Sequence, residues 1–386
     1  MADPAQPGSK RRTSGKQPDF AETISPLEVC VIAGPGGVGK TTLAASIGLG
    51  MARRGRRVAV VTIDPAKRLA TALGVDRLEN TPSRVASARL RKAGVEPADG
   101  GELWAMTLDS RRTFDDLIGR LAPDAASRER ILDNRIYKEI AGAVAGTQEF
   151  TAVAKLHELE QSGEFDLIVL DTPPSRNALD FLDAPGRLSR FFDGRAIQII
   201  MRPAGLGMRL AGGGANLVAG ALKRVTGATL FSDLADFFTA INGVTAGFNE
   251  RAHSVAALLE APTTGYVVVA APEAGPTEEA RNLAASLRER GLMPLTAIAN
   301  RVHEPPGTTR RAVRAADVRD ELGDDLSSRL AEAVEFSAAS AARDAKGVKV
   351  LEKGVGAGEP FTVSALDGEV HDISGLVRIE AALFGT

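Results

Sequence analysis

Short runs of Val, Ile and Leu recur along this chain with little polar alternation, and longer stretches of helical periodicity separate them. The runs fall at Leu27–Ala33, Arg57–Ile63, Leu103–Leu108, Asp166–Leu170, Tyr266–Ala270 and Leu295–Ala299. Strands read this way when helices cover both faces of a parallel sheet. Helical stretches such as Thr41–Arg54, Gln148–Gln161 and Thr277–Glu289 lie between them. The alternation predicts an α/β fold, a doubly wound and mostly parallel sheet. Two intervals break the rhythm. Residues of about 113–161 and 183–260 carry helical periodicity without a strand candidate, which predicts a helical subdomain inserted into one domain spanning 27–386.

The first 26 residues contain Lys10, Arg11, Arg12 and Lys16 among Pro, Ser and Gly, with no apolar run. They read as a disordered tail rather than a secretory signal. Phe237–Asn249, an uncharged stretch as long as any in the chain, is too short to cross a bilayer. A formal net charge of −2 and 4% aromatic residues give no field or stacking platform for nucleic acid, so none is expected as a partner. Cys30 is the single cysteine, which excludes an internal disulfide and reads as a small core residue on a buried strand. His157, His253, His303 and His371 are scattered without ligand-like spacing. The expected location is cytoplasmic, with peripheral attachment at a membrane as the alternative.

Between the first strand and the first long helix lies Gly34-Pro35-Gly36-Gly37-Val38-Gly39-Lys40-Thr41-Thr42. This matches the P-loop pattern of Gly, four residues, Gly-Lys-Ser/Thr in its proper strand-to-helix context. Glycines let backbone N–H groups converge on phosphate, and the helix start adds the positive end of its dipole. Lys40 is expected on the β- and γ-phosphates and Thr41 on Mg²⁺, making ATP and Mg²⁺ the expected ligands. Gly34, Gly36 and Gly39 also satisfy the dinucleotide-binding spacing, with Asp64 after the next strand as its acidic residue. That rival leaves Lys40 and Thr41 without a purpose.

The strand Asp166–Leu170 ends at Asp171, followed by Thr172-Pro173-Pro174-Ser175. An acidic residue ending an apolar strand beside a P-loop supports Mg²⁺, here through a water. Asp64, at the end of Arg57–Ile63, is placed to orient an attacking water, or to cap the helix after it.

Together, the Gly-rich loop, the Asp64-Pro65-Ala66 segment and the Asp171-Thr172-Pro173-Pro174 segment resemble the arsenite-pump and tail-anchored-protein-targeting ATPases, the deviant Walker A P-loop family. The stretch from Asp171 to Pro185 resembles particularly a bacterial anion-transporting branch. The resemblance implies a nucleotide-bridged dimer with facing P-loops. It implies phosphate contacts from Gly36, Gly37, Val38, Gly39, Lys40, Thr41 and Thr42, water activation by Asp64, and metal support by Asp171. Asn300 falls where family members contact adenine, and the loop near Val363–Leu366 would cover the base's other face.

Three departures modify that expectation. The second loop residue, usually a lysine that crosses to the partner's phosphates, is Pro35 here; a cation in such a place is worth about a thousandfold or more in rate. The expected assembly is therefore a homodimer or, preferred, a heterodimer with a paralogue supplying that lysine. No Cys-x-x-Cys zinc clasp exists, and the arsenite-binding cysteines have no counterpart. The 183–260 interval, with Ile197, Ile199, Ile200, Met201, Leu206 and Met208, reads either as a groove for a hydrophobic client or as plain core packing. Three functions are open: a client-handling switch ATPase, a weakly or non-hydrolysing ATP-binding subunit regulating a paralogue, and, distantly, an NAD-dependent enzyme.

Overall fold

The computed structural model describes residues 19–63, 68–135, 137–138, 147–173, 245–306, 319–368 and 370–385. Among these residues eight strands form one sheet. They are β1 (Val29–Ala33), β2 (Arg57–Thr62), β3 (Ser83–Arg84), β4 (Glu102–Thr107), β5 (Leu167–Asp171), β6 (Thr264–Ala270), β7 (Pro294–Val302) and β8 (Phe361–Ser364). Their order is β3-β4-β2-β5-β1-β6-β7-β8, parallel throughout except for β3, which runs antiparallel to β4.

Helices cover both faces. They are α1 (Phe20–Ile24), α2 (Lys40–Arg53), α3 (Arg68–Ala72), α4 (Ser87–Lys92), α5 (Ser110–Leu121), α6 (Ala125–Asp133) and α7 (Thr147–Ser162). Beyond β5 come α8 (Thr245–Glu260), α9 (Ala274–Glu289), α10 (Arg319–Val355, broken at Gly323) and α11 (Ile373–Phe384). Side-chain alternation on β1 shows the double winding. Cys30 and Ile32 join one core with Leu43 and Ile47 of α2 and Leu383 and Phe384 of α11. Val29, Val31 and Ala33 join the other, with Leu156 of α7, Leu259 of α8, Leu287 of α9 and Leu351 of α10. Each such aliphatic side chain, fully buried, contributes about 1.5–3 kcal/mol, so the central strands anchor the domain.

Two glycines let α2 lie close between its neighbours. A Cβ on Gly48 would stand 2.5 Å from Val60, and one on Gly50 would stand 2.3 Å from the Phe384 ring. Arg53 and Arg54 at the end of α2 reach the fully buried Glu380 of α11, at 2.5 and 3.3 Å, and Arg54 also lies over the Phe384 ring.

The expected disordered stretch of 1–26 is corrected at its end. Phe20 and Ile24 of α1 are fully buried, and Phe20 meets Phe361 and Phe384 edge to face. Val363, expected in a loop, lies on the edge strand β8 paired with Asn300. The described residues of 113–161 are largely helical, as α5, α6 and α7. Of the 183–260 interval only α8 belongs to the described residues; Ile197 through Met208 lie outside them. No helix among the described residues is long and apolar enough to cross a membrane.

Candidate nucleotide site

β1 stops at Ala33 and α2 starts at Lys40, so the loop between them sits at the carboxyl edge of the sheet, where open α/β sheets take ligands. Two of its glycines are there because a side chain would collide. A Cβ on Gly34 would fall 2.1 Å from the Val269 carbonyl oxygen of β6, and one on Gly39 would fall 2.5 Å from Asn300 Nδ2 of β7. Gly37 and Gly39 also take positive φ, 76° and 91°, which side chains disfavour. Gly36 and Gly37 are exposed, and nothing lies within 4 Å of the place a Gly37 Cβ would occupy. The loop is thus wedged against β6 and β7 on one side and open on the other.

Lys40 is 6% exposed, and its Nζ folds back to donate to the carbonyls of Gly34 at 2.9 Å and Pro35 at 2.8 Å. A buried ammonium must be satisfied in this way. Gly39 caps α2 without a side chain, which leaves the first helical N–H groups directed at the loop. Thr41 Oγ1 donates to Asp171 Oδ2 at 2.7 Å, and Thr62 Oγ1 donates to the same oxygen at 2.8 Å. Strand register explains the meeting: Asp171 stands opposite Thr62 on one side and Ile32 on the other. Thr172 Oγ1 then bonds the Ile32 carbonyl at 2.8 Å, tying the chain after β5 back to β1.

Gly34 through Thr42 and Asp171, separated by 130 residues at Thr41–Asp171, therefore converge. Asn300 joins them by donating its Nδ2 to the Val38 carbonyl at 2.7 Å. Asp64, with Pro65 and Ala66, lies outside the described residues. Pro35 is buried and its carbonyl is engaged by Lys40. Sequence reading missed Thr62, whose signal is a hydroxyl ending an otherwise aliphatic strand.

The residues fit a triphosphate with Mg²⁺. Among the described residues no group of three or more His, Cys, Asp or Glu could hold a metal. One hydroxyl and one carboxylate beside a glycine-rich loop is the sparse oxygen set that Mg²⁺ takes when ligand oxygens and water complete it. The dinucleotide reading fails on topology. That fold pairs its first two strands so that the acidic residue ending the second reaches the ribose, whereas here β5 separates β1 from β2.

A family model described as anion-transporting ATPase matches residues 27–353. The chain belongs to this family. Curated relatives of this chain include an uncharacterized protein of Streptomyces coelicolor, 33% identical over 165 residues, which are 42% of this chain and 38% of the relative. The arsenical pump-driving ATPase of Escherichia coli is 29% identical over 165 residues, 42% of this chain and 26% of the relative. The ATPase GET3 of Malassezia globosa is 27% identical over 164 residues, 41% of this chain and 42% of the relative. The matched stretch thus spans between about a quarter and two-fifths of these relatives' lengths.

Proposed function

We propose that this anion-transporting ATPase family member binds ATP with Mg²⁺ in the 34–42 loop and hydrolyses it to ADP and phosphate. The observation that carries the reading is the Thr41–Asp171 pair, a hydroxyl and a carboxylate 2.7 Å apart beside the buried Lys40 ammonium. Lys40 leaves its two loop carbonyls to meet β- and γ-phosphate oxygens, and the loop amides take the rest of the phosphate charge. Thr41 would hold the metal directly and Asp171 would hold it through a water; Mg²⁺, when bound, neutralises charge on the phosphates. Asp64 would orient the attacking water, and Asn300 would contact the base. Calorimetric titration of the full chain with Mg-ATP tests the reading: Lys40→Ala should lower affinity at least tenfold, and unchanged affinity would overturn it.

Assembly follows from Pro35. A proline there brings no cation to a facing P-loop, and its burial and occupied carbonyl keep it with its own Lys40. We therefore favour a heterodimer with a lysine-bearing paralogue, in which the nucleotide held by this chain is the one hydrolysed. Full turnover by the purified chain as a homodimer would refute that assembly. The alternative is a subunit that binds ATP and regulates the paralogue with little hydrolysis, and it predicts the same low rate with and without the partner. Hydrolysis serves to switch a hydrophobic client or partner protein, with the 183–260 interval as the output surface. Arsenite is not proposed as cargo, because one buried cysteine cannot assemble a thiolate site.

A further inference from the structure

Asn300 is 6% exposed near the end of β7, and its side chain points at the phosphate loop. Its Nδ2 donates to the Val38 carbonyl at 2.7 Å, and Gly39 approaches so closely that only glycine fits. The strand is locally irregular at this place. Arg301 takes a positive φ of 63°, and pairing with β8 slips between Asn300 and Val302. Such irregularities re-aim side chains at the rim of a sheet, and positive φ at a non-glycine residue costs energy that the surroundings must supply.

We infer that Asn300 is a positioning residue for the phosphate loop, holding the Val38–Gly39 peptide in its phosphate-accepting orientation. A trans peptide keeps its C=O and N–H antiparallel, and the described residues contain no cis bond. Fixing the Val38 carbonyl toward β7 therefore also fixes the Gly39 N–H, one of the amides such a loop offers to phosphate. Without Asn300 the peptide can rotate, because glycine on its far side adds no steric resistance. The residue thus contributes to the grip on the triphosphate itself, whatever it does for the base.

The inference rests on the nucleotide-binding reading, and one experiment separates the two. The full chain is titrated calorimetrically with Mg-ATP and with Mg-tripolyphosphate, a probe lacking base and ribose. Failure of the unaltered chain to bind either ligand overturns the nucleotide reading. Asn300→Ala, and Asn300→Leu as the variant that keeps volume without a donor, should each weaken both ligands by a similar factor, about five- to tenfold for one buried hydrogen bond. Hydrogen exchange in the absence of ligand should quicken in residues 34–42 while α11 stays protected. Weakening confined to ATP would reduce Asn300 to a base contact and overturn the inference. So would unchanged affinity for both ligands, or faster exchange spread over the whole chain.

Discussion

The Thr62 hydroxyl donates to Asp171 Oδ2 at 2.8 Å across the β2–β5 register. Thr41 reaches that same oxygen from the start of α2, so Thr62 helps fix which way the carboxylate faces. Thr62→Val keeps the shape and removes the donor. Mg-ATP affinity should fall about three- to tenfold, the worth of one buried hydrogen bond. Thr62→Ser should restore most of it, as read by the same titration.

Cys30 is fully buried in the central strand, and burial pushes its thiol up to about 12. The thiolate is the reactive form, so the native chain at pH 8 should resist a disulfide reagent, while the guanidinium-unfolded chain reacts at one equivalent per chain. The folded thiol keeps its proton while the unfolded thiol loses it near about 8.5. Cys30's contribution to stability is therefore whole below that value and declines as pH rises toward about 12. Denaturant midpoints of the native chain and Cys30→Ala should show the alkaline slope weakening in the variant.

Glu380 and its two arginines predict an asymmetry. The carboxylate is 0% exposed while the arginine side chains are about a third exposed. Removing both arginines leaves a buried charge unpaired, a loss of about 3–5 kcal/mol. Glu380→Gln leaves the cations able to turn to water and should cost less, about 1–2 kcal/mol. Urea titration of Arg53→Ala/Arg54→Ala against Glu380→Gln checks the order; the reverse order would show that Glu380 does not depend on these arginines.

Asp344 of α10 accepts from the His303 backbone N–H at 2.9 Å and lies 2.7 Å from its Nδ1. Burial alone would raise this carboxyl, but the His303 N–H and ring and the Arg343 guanidinium outweigh it and hold the carboxyl below its usual range. A depressed native value means the stabilisation is present above the unfolded value of about 3.9 and drains away as pH falls through the lower native one. Asp344→Asn should flatten that acid limb in urea midpoints measured from pH 6 to pH 2.5.

Much of the architecture is legible in residue pattern alone. Six aliphatic runs mark β1, β2, β4, β5, β6 and β7, because a strand covered on both faces leaves no room for polar alternation. α9 begins three residues before the expected Thr277: Pro276 occupies the first turn, where its missing N–H costs nothing. β3 has two exposed residues and β8 buries only Val363, so neither leaves a hydrophobic signature. α1 is hidden for another reason, since its five residues follow a polar tail and their burial depends on Phe361 and Phe384 far along the chain. The loop residues and Asp171 were readable because their chemistry is written locally. The Asn300–Val38 bond was not, because 262 residues separate its ends and only the strand order brings them together.

Gly347 of α10 has a consequence at long range. A Cβ there would fall 2.0 Å from the Pro272 carbonyl, so this rod lies hard against the turn following β6, whose Val269 carbonyl in turn abuts Gly34. Three residues earlier, Asp344 fastens the same rod to His303, just beyond Asn300. Its inner portion is therefore clamped at two points that both lead to the cradle, while from Asp324 to about Val334 it stands largely in solvent, some 30 Å of helix away at its far end. A small rotation at the clamps sweeps that tip through a wide arc, and a force on the tip returns to the loop with the leverage of the whole rod.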